Sequence, residues 1–192
     1  MRTQRFNTPI EWNKNDVNIT ILGLFELILN LPRNKHQRMI EIGSYMGEST
    51  MLFASSQIFT EIHTIDPHHG EEEFNELFGY DWDFIKREFK TNTRFFDNII
   101  HHEDYSYNVV NNFKDNDYDF IYIDGSHTYE SVKRDLELYL PKLKKGGIIG
   151  GHDYSQIWPG VIEAVNEVVG NPDKNFIDDS WIKSQSYPNN SL

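Results

Sequence analysis

Five short apolar runs, each leading into a stretch of helical period, constrain the fold of this chain more than any other feature. They are Arg38–Gly43, Glu61–Pro67, Asn98–His102, Asp119–Asp124 and Ile148–Asp153. The cleanest is Asp119-Phe120-Ile121-Tyr122-Ile123-Asp124, four apolar residues between two carboxylates. A continuous run of that length reads as a strand buried on both faces. Helices are expected between the runs: Glu48–Phe59, Asp83–Lys90, Tyr105–Phe113 and Tyr129–Leu140, the last with Val132, Leu136 and Leu140 on one face. Pro159 suits the first position of a final helix through Val169. A helix from Asp16, with Val17, Ile21, Leu24, Phe25 and Ile28 as its apolar face, comes before them all, and Pro32 closes it. Alternation of this kind means an α/β fold whose parallel sheet is covered on both faces. Phe176–Ser184 has room for one or two further short strands.

A chain of 192 residues suits one domain with small appendages. Residues 1–35 read as an arm, with an exposed Trp12, and a helix; 36–185 as the ligand-binding domain; 186–192 as a loose tail. Lys and Arg number 18 against 30 Asp and Glu, a net charge of −12. That balance argues against nucleic acid and anionic membranes as partners. The absence of cysteine excludes disulfides, zinc thiolates, iron–sulfur clusters and thiol nucleophiles. No apolar run follows Met1–Arg5, so no signal peptide is expected, and Ile19–Leu31 is too short to span a bilayer. The expected location is cytoplasmic. Residues 68–82 read as an inserted acidic loop in which Glu71–Glu73 form a mobile lid.

In open α/β sheets, ligands bind outside the carboxyl ends of the strands. Capping would explain a polar residue at any one such end; it does not explain acids at nearly all of them. Glu41-x-Gly43-x-x-x-Gly47 lies at a strand-to-helix turn, where two glycines let a ligand approach the backbone. Tyr45 and Glu48 break the dinucleotide fingerprint, and no Gly-Lys-Ser/Thr follows. Glu41 is badly placed for a phosphate and well placed for an ammonium or sulfonium group. Asp66 is positioned to take the hydroxyls of a ribose. Glu103, Asp104, Tyr105 and Ser106 can border an adenine. Together these residues describe a nucleoside carrying a cationic amino-acid part.

At this point the chain resembles the class I S-adenosylmethionine-dependent methyltransferases over residues 36–184. It is most similar to the small O-methyltransferases of the catechol and macrocin sugar type. The likeness rests on the Glu41–Gly47 loop, Asp66, the segment Phe120–Tyr129, the Leu143–Gly147 turn and the strand ending at His152-Asp153. It implies a Rossmann-like, doubly wound, mostly parallel sheet of six to seven strands with helices on both faces and a reversed last strand. It further implies S-adenosylmethionine held by Glu41, Gly43, Ser44, Tyr45, Gly47, Ser49, Asp66, Asp104, Tyr105 and Ser106. Asp124 and His127 are the implied catalytic residues, His127 as general base. Asp124, His152 and Asp153 are the implied ligands of a divalent metal, Mg²⁺ or Mn²⁺.

The similar enzymes carry two acids, or Asp-Asn, where this chain has His152-Asp153. A histidine there shifts preference from Mg²⁺ toward Mn²⁺, Zn²⁺ or Fe²⁺, or marks a lost site; both readings stay open. An ordinary imidazole would make metal uptake fade below about pH 6. In each of the pairs His68-His69 and His101-His102, one residue is expected to face solvent and neither to bind metal. The implied activity is methyl transfer to a hydroxyl oxygen of a small acceptor, a sugar among the candidates. The rivals are a non-catalytic S-adenosylmethionine- or nucleoside-binding domain acting as partner or regulator, and a hydrolase or other metal enzyme. The hydrolase would leave the Gly43–Gly47 loop without a ligand. Homo-oligomerisation stays open.

Overall fold

The structure, a computed structural model, describes residues 14–34, 36–69 and 81–185, with side chains from residue 21 onward. Trp12, most of the acidic loop including Glu71–Glu73, and the tail 186–192 lie outside the described residues. Within them the chain runs α1 (Lys14–Asn30), β1 (Gln37–Ile42), α2 (Glu48–Ser55), β2 (Phe59–Ile65), α3 (Trp82–Thr93) and β3 (Ile99–His102). It continues through α4 (Ser106–Val109), β4 (Tyr118–Ile123), α5 (Tyr129–Tyr139), β5 (Leu143–Gly151), α6 (Pro159–Val168), β6 (Lys174–Asn175) and β7 (Trp181–Ser184). The strands form one seven-stranded sheet in the order β3-β2-β1-β4-β5-β7-β6. Strands β1 to β5 are parallel, and β7 runs antiparallel to both β5 and β6. The winding direction reverses between β1 and β4, so a crevice opens past their carboxyl ends.

The unbroken apolar runs have a direct cause. Met39 and Phe120 face a core built with Leu27 of α1 and Phe53 of α2. Their neighbours Ile40 and Ile121 face the opposite core, with Leu136 of α5 and Val161 of α6. A strand buried on both sides has no solvent face on which to place polar residues.

Two boundaries and one helix face depart from expectation in ways the packing explains. Helix α2 stops at Ser55 rather than Phe59, because Phe59 is already paired with Gln37 at the head of β2. Strand β5 begins at Leu143, inside the expected turn: its ladder with β4 shifts register, and Gly146 at φ 75° takes up the bulge. The buried face of α1 is Leu24, Leu27 and Ile28, continued by Leu31 just past its end, whereas Ile21 and Phe25 are 48% and 50% exposed. The contact that turns the helix this way is Gly23, where a Cβ would meet the Asp178 carboxylate at 2.1 Å.

Charge is paired at the amino end of the sheet. Arg38 binds Glu61 and Asp117, and Lys144 Nζ lies 2.8 Å from Asp119. None of the helices among the described residues is long and apolar enough to cross a membrane.

Candidate active site

The turn after β1 is packed against the exit of β4. Asp124 N–H donates to the Ile42 carbonyl at 2.7 Å. Gly43 sits at φ 87°, and a Cβ there would lie 2.0 Å from the Asp124 carbonyl oxygen, so only glycine fits. Tyr45 and Gly47 are also left-handed, at φ 45° and 79°, and Gly47 caps α2.

Asp66 buckles this turn. Its Oδ2 accepts the N–H groups of Ser44 (3.0 Å) and Tyr45 (2.7 Å), and its Oδ1 accepts that of His68 (2.7 Å). Oδ2 already takes two donors, whereas Oδ1 takes one and keeps acceptor capacity for a further donor. The Ser44 hydroxyl is buried without a hydrogen-bond partner among the described residues.

Glu41 does something other than meet a cation. It is fully buried. Ser49 Oγ donates to its Oε1 at 2.6 Å, Thr64 Oγ1 to its Oε2 at 2.8 Å, and Thr50 Oγ1 to the same Oε2. Burial pushes its pKa up to about 6 against the pull of those hydroxyls. The carboxylate is sealed beneath the turn, and the Ser49 hydroxyl is spent on it rather than on a ligand.

At the exit of β3, Asp104 Oδ1 accepts from Tyr105 N–H (2.7 Å) and Asn108 Nδ2 (2.8 Å). The Tyr105 ring stacks on Tyr107 and meets His69 edge-on, each at 5.2 Å between centroids. Ser106 is buried, and its hydroxyl donates to Asp135 Oδ1 at 2.5 Å, so it is not free to border an adenine. Asp135 was not anticipated. Its signal was a carboxylate inside the apolar stripe Val132–Leu136–Tyr139, and burial raises its pKa to about 6.

The exits of β4 and β5 bring Asp124, His127, His152 and Asp153 together. Asp124, His152 and Asp153 each offer a ligating atom, all within 4.8 Å of one another. His152 Nδ1 lies 3.4 Å from Asp153 Oδ2 and 3.9 Å from Asp124 Oδ1. His127 Nε2 lies 2.6 Å from the same Asp153 oxygen, and the Trp158 indole stacks on the His127 ring at 4.2 Å and 23°. Asp153 holds a left-handed backbone, φ 61°. Burial disfavours its charge, but hydrogen bonds from His127 and His152 outweigh that and hold its carboxyl well below the usual range. Burial likewise opposes charge on His152, yet Asp124 and Asp153 prevail and raise it to about 9. The ordinary imidazole expected at this position is therefore replaced by one that keeps its proton at neutral pH.

His68 is buried and His69 exposed, as a split pair requires. His101 and His102 are both half-buried, because each packs against an aromatic ring on its own face of β3. His101 packs on Phe89 of α3 at 4.4 Å, and His102 on Phe113 at 5.2 Å, with its Nε2 2.9 Å from His63 Nδ1.

A seven-stranded sheet of this order, with a glycine turn after β1 and acids after β2, β4 and β5, defines the class I S-adenosylmethionine-dependent methyltransferase architecture. The chain belongs to the methyltransferase-domain family, whose family model matches residues 40–154. A protein of Acanthamoeba polyphaga mimivirus is 31% identical over 158 residues, covering 76% of this chain and 65% of its own. A protein of Sinorhizobium fredii is 25% identical over 132 residues, covering 61% and 13%. The chain thus spans less than two-thirds of the length of either curated relative. Among solved structures, a Staphylococcus aureus protein assigned as a caffeoyl-CoA O-methyltransferase superposes with a TM-score of 0.62 at 20% identity, over 93% of this chain and 92% of that one. The O-methyltransferase NovP gives 0.61 at 17% identity, over 91% and 80%. Spermidine synthase from Thermotoga maritima gives 0.55 at 12% identity, over 90% and 60%. Likeness at these identities is one of fold, and a synthase among the neighbours shows that the fold alone does not fix the reaction.

Proposed function

We propose that this protein transfers the methyl group of S-adenosylmethionine to a hydroxyl oxygen of a small acceptor, a sugar among the candidates, with His127 as general base. The observation that carries the reading is the 2.6 Å contact between His127 Nε2 and Asp153 Oδ2, at the edge of the crevice that the glycine turn opens. The domain assigned to this work is residues 36–185.

Asp153 is ionised and can only accept, so His127 Nε2 carries the hydrogen between them. That leaves Nδ1 as the basic atom for an acceptor hydroxyl. Trp158 fixes the plane of the ring, and the Asp153 charge stabilises the imidazolium once the proton arrives. The cofactor would supply an electrophilic methyl group on a sulfonium. Asp66, with acceptor capacity left on Oδ1, and the Ser44 hydroxyl, unpartnered among the described residues, suit the donors and acceptors of a nucleoside. We assign cofactor contacts to Gly43, Ser44, Tyr45, Gly47, Asp66, Asp104 and Tyr105. Glu41, Ser49 and Ser106 support the turns from beneath.

Two carboxylates and an imidazole within 4.8 Å fit a divalent ion such as Mn²⁺ or Mg²⁺. Asp124, His152 and Asp153 would hold it, and when bound it would lower the pKa of an acceptor hydroxyl. His152 must first give up the proton that its two acidic neighbours stabilise.

The test combines calorimetry with S-adenosylhomocysteine and a labelled-methyl assay across a panel of sugars and phenols. His127→Ala should lower turnover by about 10²–10⁴-fold. Asp153→Asn should also lose turnover, and both should keep S-adenosylhomocysteine affinity within a few-fold. Cofactor binding without transfer to any acceptor would leave the binding-only reading; no cofactor binding would sink both.

A further inference from the structure

Histidine 68, two residues past the ribose-binding candidate Asp66, carries features that the reaction above does not use. It is 4% exposed. Its backbone stands at φ 48°, a conformation that side chains larger than glycine rarely adopt without a reason elsewhere in the structure. Its N–H donates to Asp66 Oδ1 at 2.7 Å, and its ring Nε2 lies 2.8 Å from the Tyr45 carbonyl oxygen. A carbonyl can only accept, so Nε2 is the protonated nitrogen. The ring is lodged between Phe89 (5.0 Å) and His101 (4.8 Å), and Nδ1 is buried with no hydrogen-bond partner among the described residues.

These contacts close a ring of interactions around Tyr45, the one non-glycine residue of the Gly43–Gly47 turn with a positive φ. Tyr45, itself at φ 45°, gives its N–H to Asp66 Oδ2 at 2.7 Å and receives His68 Nε2–H on its carbonyl. Both of its peptide groups are therefore clamped, one by the acid and one by the histidine, and His68 N–H fixes the acid in turn. Two left-handed residues from separate segments hold each other in place. Strain shared between two loops is kept where the geometry it enforces is needed.

We propose that His68 is a positioning residue of the cofactor site, holding the Gly43–Gly47 turn and the Asp66 carboxylate in the mutual register that a bound nucleoside requires. The proposal rests on the reading that this turn and Asp66 receive S-adenosylmethionine.

The experiment measures S-adenosylhomocysteine affinity by calorimetry, and thermal unfolding without ligand, for wild type, His68→Ala, His68→Gln and His68→Asn. Glutamine places an amide nitrogen near the Nε2 position. Asparagine tolerates the left-handed backbone but reaches only as far as Nδ1. His68→Ala and His68→Asn should raise Kd about 5–10-fold, the worth of one buried hydrogen bond. His68→Gln should stay within about two-fold of wild type, even where its unfolding temperature falls with the others. The proposal is overturned if His68→Ala binds like wild type, if affinity simply tracks unfolding temperature across the three variants, or if asparagine restores binding and glutamine does not. Failure of the wild type to bind S-adenosylhomocysteine overturns the cofactor reading itself, a result distinct from wild-type binding with an indifferent His68.

Discussion

Glu41→Gln tests how the glycine turn is supported. The buried carboxyl has a pKa of about 6 where its ordinary value is 4.5. That gap of about 1.5 pH units corresponds to about 2 kcal/mol between the two protonation states. The sign follows from the direction of the shift. A carboxyl whose pKa is raised by folding contributes stability that is fully present below 4.5 and lost as pH rises through 6. Glutamine cannot ionise and escapes that loss. The stability of the variant relative to wild type should therefore climb by about 2 kcal/mol between pH 4 and 7.5, nearly all of it before pH 7. The amide must donate to a hydroxyl oxygen of Thr50 or Thr64, which reverses the present bond. That cost is independent of pH and shifts the whole difference curve without changing its rise. Urea unfolding of both proteins across this range at fixed ionic strength gives the difference directly, provided the m-values agree. A difference that stays flat within about 0.5 kcal/mol would refute the argument. One that falls with pH would mean that the three hydroxyls outweigh burial. Affinity for S-adenosylhomocysteine should barely change, since the carboxylate is closed off from the crevice.

Two further outcomes follow from the site. Asp66→Ala strips three backbone N–H groups of their acceptor, so it should weaken S-adenosylhomocysteine binding ten-fold or more and also cost about 2 kcal/mol of stability, about 4–8 °C in Tm; an unshifted melting curve would show that the turn holds itself. Mn²⁺ affinity, followed by paramagnetism, should rise roughly ten-fold per pH unit as His152 is relieved of its proton, and level off above about 9; an affinity that does not vary between pH 7 and 9 would remove His152 from the ligand set.

Much of the sheet was legible because burial leaves a plain mark. Phe120-Ile121-Tyr122-Ile123 must feed two cores at once, and no other arrangement of a short apolar run does so as simply. The end of the sheet was harder: β7 is four residues long, and its antiparallel course is decided by pairing with β5 rather than by its own pattern. Within the site, residue type predicted location better than partnership. Glu41 and Asp66 look alike in sequence, each an acid at or near the exit of a strand. One is sealed by hydroxyls arriving from α2 and β2, the other buckles a loop, and which acid does which depends on side chains contributed by distant segments. The His127–Asp153 contact and the elevated pKa of His152 depend on distances that only the alignment of β4 with β5 creates.

The two ends of the sheet balance their acids differently. At the amino end Arg38 and Lys144 set permanent charges against Glu61, Asp117 and Asp119. At the carboxyl end the groups set against Asp153 are the imidazoles of His127 and His152. In the proposed reaction a sulfonium loses its charge as His127 gains one. A positive charge then stays at the carboxyl edge from start to finish, moving from ligand to protein. The fixed dipoles around the crevice would meet nearly the same field before and after transfer, and would have little need to rearrange between one turnover and the next.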